Sequence, residues 1–131
     1  PAGRLRRFLD SLGSRGVAVN LDPANLVMVA ADDPVEAVYT LQSYIVHTHA
    51  KDGRQLQPFD PEVVEGIRPG EMPVGRRYQE LPLGEGDVPF DRYLSALREV
   101  GYAGFLTLER EVGEDPAADL ARGVAFLKAR I

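Results

Sequence analysis

The chain has 131 residues, of which 44% are hydrophobic and 27% charged, and its formal net charge is −5. This composition is that of one folded domain, and the negative charge with scattered Lys and Arg argues against a nucleic-acid-binding surface. The chain has no cysteine, which excludes disulfides, thiolate metal sites and cysteine nucleophiles. No apolar stretch reaches the ~20 residues of a membrane span, and no signal-peptide pattern is visible, so we expect a cytoplasmic protein without membrane contacts.

The spacing of apolar residues predicts helices that alternate with strands. The predicted helices cover 5–12, a stretch opened by Asp33 and Pro34, 90–100, and a stretch opened by Asp115 and Pro116; the predicted strands cover 17–21, 44–49 and 105–108. Residues 53–88 are rich in Pro and Gly and predict a long loop with one short strand at 78–81. This order favours parallel strands joined by right-handed crossovers. Three strands cannot close a barrel, so both edges of the sheet should be free.

Each of the three main strands runs into a side chain that can bind a metal ion. Asp22, His49 and Glu109 follow the three apolar runs in turn. Because the carboxyl ends of parallel strands meet at one edge of a sheet, we expect these side chains to lie together. Two carboxylates and one imidazole suit Mn²⁺, Mg²⁺, Co²⁺ or Zn²⁺ and leave coordination positions open for a substrate. A simple alternative is that each acid is only a helix cap or a solvated surface group.

Neighbouring polar residues extend this prediction. Side chains alternate along a strand, so His47 lies on the same face as His49, and Glu111 on the same face as Glu109. We therefore take His47 as a neighbour of the site and Glu109 as the more direct ligand. Asn25 is either a turn or capping residue or a substrate contact. Lys51 and Asp52 are either a surface ion pair or members of the site.

Three segments carry a resemblance to a known family. They are His47-Thr-His49-Ala-Lys51-Asp52, then Leu83-Gly-Glu-Gly-Asp87-Val-Pro-Phe90, and finally Gly101-Tyr-Ala-Gly104-Phe-Leu-Thr-Leu-Glu109-Arg-Glu111; the segment Asn20-Leu-Asp22-Pro-Ala-Asn25 fits less specifically. The chain resembles the sugar phosphate isomerase/epimerase family, whose members are xylose isomerase-like TIM barrels. The resemblance implies an α/β fold that is a partial (β/α)₈ barrel, roughly its last three βα units. Residues 1–131 would form one carboxyl-terminal barrel segment, with 53–88 as a long insertion.

The resemblance also implies an activity and a ligand set. Family members hold one divalent metal with Glu, Asp, His and Glu from four strand ends, and Asp22, His49 and Glu109 match the last three. Glu109 would transfer a proton through an enediolate of a sugar or sugar phosphate, with Lys51 as a second catalytic residue. Asn25, His47 and Glu111 would contact the substrate. The first ligand Glu and five strands have no counterpart here, so we expect the chain alone to be inactive; Asn25 also replaces a His of some members.

Competing hypotheses follow from the same residues. The chain could be a non-catalytic fragment that self-associates through its open sheet edges, and either a homo-oligomer or a missing amino-terminal barrel segment would then cover them. A related barrel lyase, dehydratase or esterase fits the same strand ends. The apurinic endonuclease branch binds DNA with several zinc ions, and a chain with only two His and a net charge of −5 does not suit it.

Overall fold

A computed structural model describes residues 1–131 as an α/β structure. In chain order its elements are α1 (Ala2–Leu12), β1 (Val19–Leu21), α2 (Pro23–Asn25), a π-helical segment (Leu26–Ala30), α3 (Pro34–Leu41), β2 (Ile45–Ala50), β3 (Asp52–Gln55), α4 (Pro61–Val64), β4 (Tyr78–Leu81), α5 (Phe90–Glu99), β5 (Leu106–Leu108) and α6 (Pro116–Lys128). The predicted helices and strands are therefore present. Helices α2 and α4, the π-helical segment and strand β3 were not predicted.

The central sheet contains three parallel strands in the order β1-β2-β5. Asn20 pairs with His47 across β1 and β2, and His49 pairs with Thr107 across β2 and β5. This register brings the carboxyl ends of the strands to the same edge of the sheet. The sheet does not close, and β1 and β5 each keep an unpaired edge, as expected.

The core lies between one face of the sheet and the helices. Thr48 and Ala50 of β2 are fully buried, and Thr48 faces Tyr93 of α5. Local sequence fixes the helix ends here, because Asp33 caps α3 with Pro34 in its first turn, and Gly101 takes a left-handed conformation after α5. The opposite face of the sheet carries Asn20, His47 and Thr107, and it forms the inner side of an open barrel wall.

Residues 53–88 contain regular secondary structure as well as loop segments. Strands β3 and β4 form an antiparallel hairpin in which Gly53 pairs with Glu80 and Gln55 with Tyr78. Between them, α4 is capped by Asp60. The strand expected at 78–81 is present as β4, and the rest of 53–88 also contains most of β3 and the short helix α4. Strand β3 escaped prediction because Asp-Gly-Arg-Gln has no alternation of apolar and polar residues.

Apolar faces of the first and last helices stay uncovered. In α1 only Leu9 of the predicted stripe is buried, while Phe8 is 57% exposed, and in α6 Leu127 is buried while Val124 is exposed. The stripes are thus present, but no element of this chain packs over all of them. None of the helices combines the length and apolar character required to cross a membrane.

Candidate metal and proton-transfer site

Asp22, His49 and Glu109 meet at the carboxyl ends of β1, β2 and β5. One ligand atom from each lies within 4.8 Å of the others. His49 Nδ1 is 3.3 Å from Asp22 Oδ2 and 2.7 Å from Glu109 Oε2, so the imidazole stands between the two carboxylates. All three side chains are partly buried, with 11%, 21% and 31% of the Asp22, His49 and Glu109 side chains exposed. The structure therefore brings together the three predicted metal ligands.

Asp22 belongs to the cluster and also caps a helix. Its Oδ1 accepts a hydrogen bond from the backbone N–H of Asn25 at 3.0 Å, and its Oδ2 accepts one from Asn25 Nδ2 at 2.8 Å. The cap of α2 is thus Asp22 and not Asn25, and Asn25 is a residue that fixes the Asp22 carboxylate. Because Oδ2 also faces His49, the capping bonds orient the carboxylate toward the cluster.

The donor set fits a divalent metal ion. Ligands about 2.1 Å from one ion are at most ~4.2 Å apart, and His49 Nδ1 lies within that limit of both carboxylates, at 3.3 Å from Asp22 and 2.7 Å from Glu109. His49 Nε2 lies 2.9 Å from the Asn20 side-chain amide. If the amide oxygen of Asn20 faces Nε2–H, the Nδ1 lone pair is free to bind a metal ion between the carboxylates, which is how ligand histidines are commonly held.

Lys51 lies buried among three carboxylates. Its side chain is only 4% exposed, and Nζ lies 2.6 Å from Glu111 Oε2, 3.4 Å from Glu80 Oε2 and 3.5 Å from Glu109 Oε2. Burial lowers the pKa of Lys51, but the hydrogen bond to Glu111 and the charges of Glu80 and Glu109 outweigh it, so the pKa is raised. Lys51 is therefore a cation, and its hydrogen bond lowers the pKa of Glu111. The alternative of a surface ion pair between Lys51 and Asp52 was wrong.

Asp52 has a different role from that of Lys51. It is 1% exposed, and its Oδ1 accepts hydrogen bonds from the N–H groups of Gly53 and Val88 while Oδ2 accepts them from Gly84 and Gly86. Burial raises the pKa of Asp52, and the four N–H bonds oppose this shift. The Gly84–Asp87 loop thus directs its N–H groups at a carboxylate of the same chain and not at a phosphate.

His47 lies one step farther from the strand ends. Its Nε2 is 2.8 Å from Thr107 Oγ1, and its ring contacts His49 edge-on with centroids 5.9 Å apart. His47 is therefore on the inner face of the sheet beside the cluster but is not one of its three members. The proposed substrate contacts of Asn25, His47 and Glu111 remain predictions, with each side chain bonded to a residue of the cluster or its surroundings.

Sequence reasoning missed Glu80 and Arg110. Glu80 belongs to β4, and its side chain is 8% exposed and contacts both Lys51 and Arg110. Its only sequence signal is a charged residue within a short strand, which ordinarily indicates a solvent-facing position. The hairpin that brings it to the cluster depends on long-range packing.

Comparisons with known proteins identify the fold independently. The profile of the xylose isomerase-like TIM barrel family matches residues 2–130. A xylose isomerase domain protein from Planctomyces limnophilus superposes with a TM-score of 0.77 at 32% identity, over 98% of this chain and 42% of that protein. The probable 3-DHS dehydratase AsbF involved in petrobactin synthesis, from Bacillus anthracis, superposes with a TM-score of 0.71 at 24% identity, over 99% of this chain and 45% of that one, which indicates a shared fold.

Curated relatives match a shorter stretch. L-ribulose-5-phosphate 3-epimerase UlaE from Escherichia coli O1:K1 is 39% identical over 56 residues, which is 41% of this chain and 20% of the epimerase. The same enzyme of strain K12 / DH10B matches equally. The match thus spans a fifth of the length of these relatives. Together with the family profile and the superposed barrel wall, it shows that the chain belongs to the xylose isomerase-like TIM barrel family.

Proposed function

We propose that the chain is the part of a sugar or sugar phosphate isomerase or epimerase that carries metal ligands and a proton-transfer residue. The observation that carries the proposal is the meeting of Asp22, His49 and Glu109 at three adjacent strand ends, with donor atoms within 4.8 Å of one another. The family and the epimerase activity of the Escherichia coli relatives support a sugar phosphate as the substrate class.

We take Glu109 as the proton-transfer group, in keeping with its contacts. Its Oε2 contacts both His49 Nδ1 and Lys51 Nζ, which leaves Oε1 available to a substrate. A carboxylate that removes a proton from the carbon beside a carbonyl leaves an enediolate. Return of the proton to the neighbouring carbon, with the hydroxyl proton passing to the former carbonyl oxygen, isomerises the sugar. Epimerisation needs a second acid that delivers a proton to the opposite face of the same carbon.

Residues around Glu109 support this chemistry. The buried Lys51 ammonium balances the charges of Glu109 and Glu111 beside the reacting carbon. Asp22 and His49 would hold a divalent ion with Glu109, with Asn25 and Asn20 fixing their orientation. When bound, such an ion supplies a positive charge that polarises the sugar oxygens. A second acid and further substrate contacts are expected from additional barrel strands, because the sheet of this chain is open.

Titration of the purified chain with Mn²⁺ tests the metal site. We expect His49→Ala to weaken Mn²⁺ binding by at least about 100-fold, because it removes the ligand between the two carboxylates. His47→Ala is the matched control, since it removes the other histidine of the same face and leaves the cluster intact. Equal Mn²⁺ affinities for wild type, H49A and H47A would overturn the proposed site.

Deuterium incorporation into the substrate tests the proton-transfer step. When the protein expressed from its natural gene is incubated with a ketose phosphate in D₂O, deuterium should appear on the carbon beside the carbonyl. Glu109→Gln should abolish this exchange, because the amide cannot accept the proton. Exchange that persists in E109Q would assign the chemistry to another residue.

A further inference from the structure

The segment that follows β5 is held in place by a side chain from the β3–β4 hairpin. Glu80 Oε1 accepts hydrogen bonds from the backbone N–H groups of Glu111 and Val112, at 2.9 and 3.4 Å, and from Arg110 Nη1 at 2.9 Å. These three donors belong to consecutive residues that begin directly after Glu109. One buried carboxylate thus fixes the backbone path on which the proposed proton-transfer group is mounted.

The second oxygen of Glu80 reaches the same group through Lys51. Glu80 Oε2 lies 3.4 Å from Lys51 Nζ, and Lys51 in turn lies 3.5 Å from Glu109 Oε2. Lys51 is 4% exposed and the Glu80 side chain 8% exposed, so little water screens this ion pair. Glu80 therefore restrains Glu109 from two directions, through the backbone of 110–112 and through the lysine.

We propose that Glu80 is a positioning residue that holds Glu109 in line with Asp22 and His49. The β3–β4 hairpin, which lies between β2 and α5 in the chain, would then help to position the active-site residues. This inference rests on the proposed metal and proton-transfer function. It concerns a residue that lies outside the cluster of three ligands, on a strand of the second sheet.

Asp119 provides a matched control. It lies on α6, its side chain is also 8% exposed, and it binds the same Arg110 through Nε at 2.9 Å. It contacts neither Lys51 nor the N–H groups of Glu111 and Val112. Asp119→Asn therefore weakens the support of Arg110 without removing either restraint on Glu109.

The experiment compares Glu80→Ala, Glu80→Gln and Asp119→Asn by Mn²⁺ titration and by amide hydrogen exchange without metal. We expect E80A to weaken Mn²⁺ binding about 10- to 100-fold, the range for residues that orient metal ligands. E80Q should recover part of this loss, because its carbonyl can still accept from the backbone. D119N should change the affinity less than about twofold, and exchange at Glu111 and Val112 should accelerate at least about tenfold in E80A alone.

The possible outcomes distinguish the role of Glu80 from the existence of the metal site. If H49A abolishes Mn²⁺ binding while folded E80A binds like wild type, the metal site stands and the role of Glu80 is overturned. If D119N weakens binding as much as E80A at a matched fall in Tm, Glu80 only stabilises the fold and the inference is wrong. If the wild type binds no Mn²⁺, the metal site fails, and unchanged amide exchange in E80A would refute the positioning role as well.

Discussion

Lys51 and Asp52 are adjacent in the chain, but their side chains point in different directions and contact different groups. The Lys51 ammonium points to the cluster of carboxylates at the strand ends, whereas the Asp52 carboxylate receives four backbone N–H groups of the Gly84–Val88 loop and its own neighbour. Because side chains alternate along an extended chain, one strand end can hold a site residue and a structural anchor side by side.

The anchor role of Asp52 is tested by an isosteric change. Asp52→Asn replaces one acceptor oxygen by an amide that faces N–H donors, so two buried N–H groups lose their partner. We expect a loss of about 2–4 kcal/mol in the free energy of unfolding, measured with urea.

Asp87→Asn is the control for this change. Asp87 lies in the same loop with an exposed side chain, so D87N should stay within about 0.5 kcal/mol of wild type. Equal stability of D52N and D87N would show that the four hydrogen bonds do not hold the loop.

At the scale of elements, the β3–β4 hairpin packs closely against the π-helical segment. A Cβ added at Gly53 would overlap the sulfur of Met28 and the backbone oxygen of Gln79. Since a backbone oxygen in a strand pair cannot move aside as a side chain can, this glycine sets the approach of β4 to β3. Glu80 reaches Lys51 only if that approach is kept.

Gly53→Ala should therefore loosen the hairpin. We expect a destabilisation of about 1–3 kcal/mol from the steric overlap, read from chemical denaturation. Gly3→Ala is the matched control, because Gly3 lies in α1 with only a flexible arginine tip near its Cβ position, and alanine there should be neutral or stabilising by up to ~1 kcal/mol. A G53A protein as stable as G3A would contradict this account of the packing.

The sequence predicts the elements whose pattern is local. Continuous apolar runs before Asp22 and Glu109 indicate buried parallel strands, and an Asp-Pro pair before α3 and α6 marks each helix start. Strand β3 and Glu80 could not be found in this way, since a polar strand forms only where its partner and the π-helical segment cover it. The cluster was therefore predictable, as were Asn25 and Lys51 beside it, whereas Glu80 and Arg110 were not.

At the scale of the whole molecule, the open sheet presents unpaired strand edges beside exposed apolar groups. Phe105 at the start of β5 is 78% exposed, Val46 of β2 is 65% exposed, and the helix stripes of α1 and α6 are partly uncovered. Such surfaces favour pairing with further strands, whether from a longer barrel or from a second copy.

Self-association of this chain is therefore expected. Light scattering at increasing concentration should show dimers or larger species, and Phe105→Glu should shift the transition to at least about tenfold higher concentration by placing a charge beside the free edge. A wild-type chain that stays monomeric at every concentration would contradict this expectation.

The two ends of the loop between β3 and β4 are joined by a hydrogen bond, and this has a practical consequence. The backbone N–H of Leu56 donates to the carbonyl oxygen of Arg77 at 2.8 Å, so the loop 57–76 begins and ends at the same place on the structure. Its tip around Met72 and Val74 is exposed, with Val74 at 92%. Foreign sequence could be spliced in at this tip at an entropic cost of only ~0.6 kcal/mol per doubling of loop length, which makes it a natural position for an affinity tag or fluorescent label.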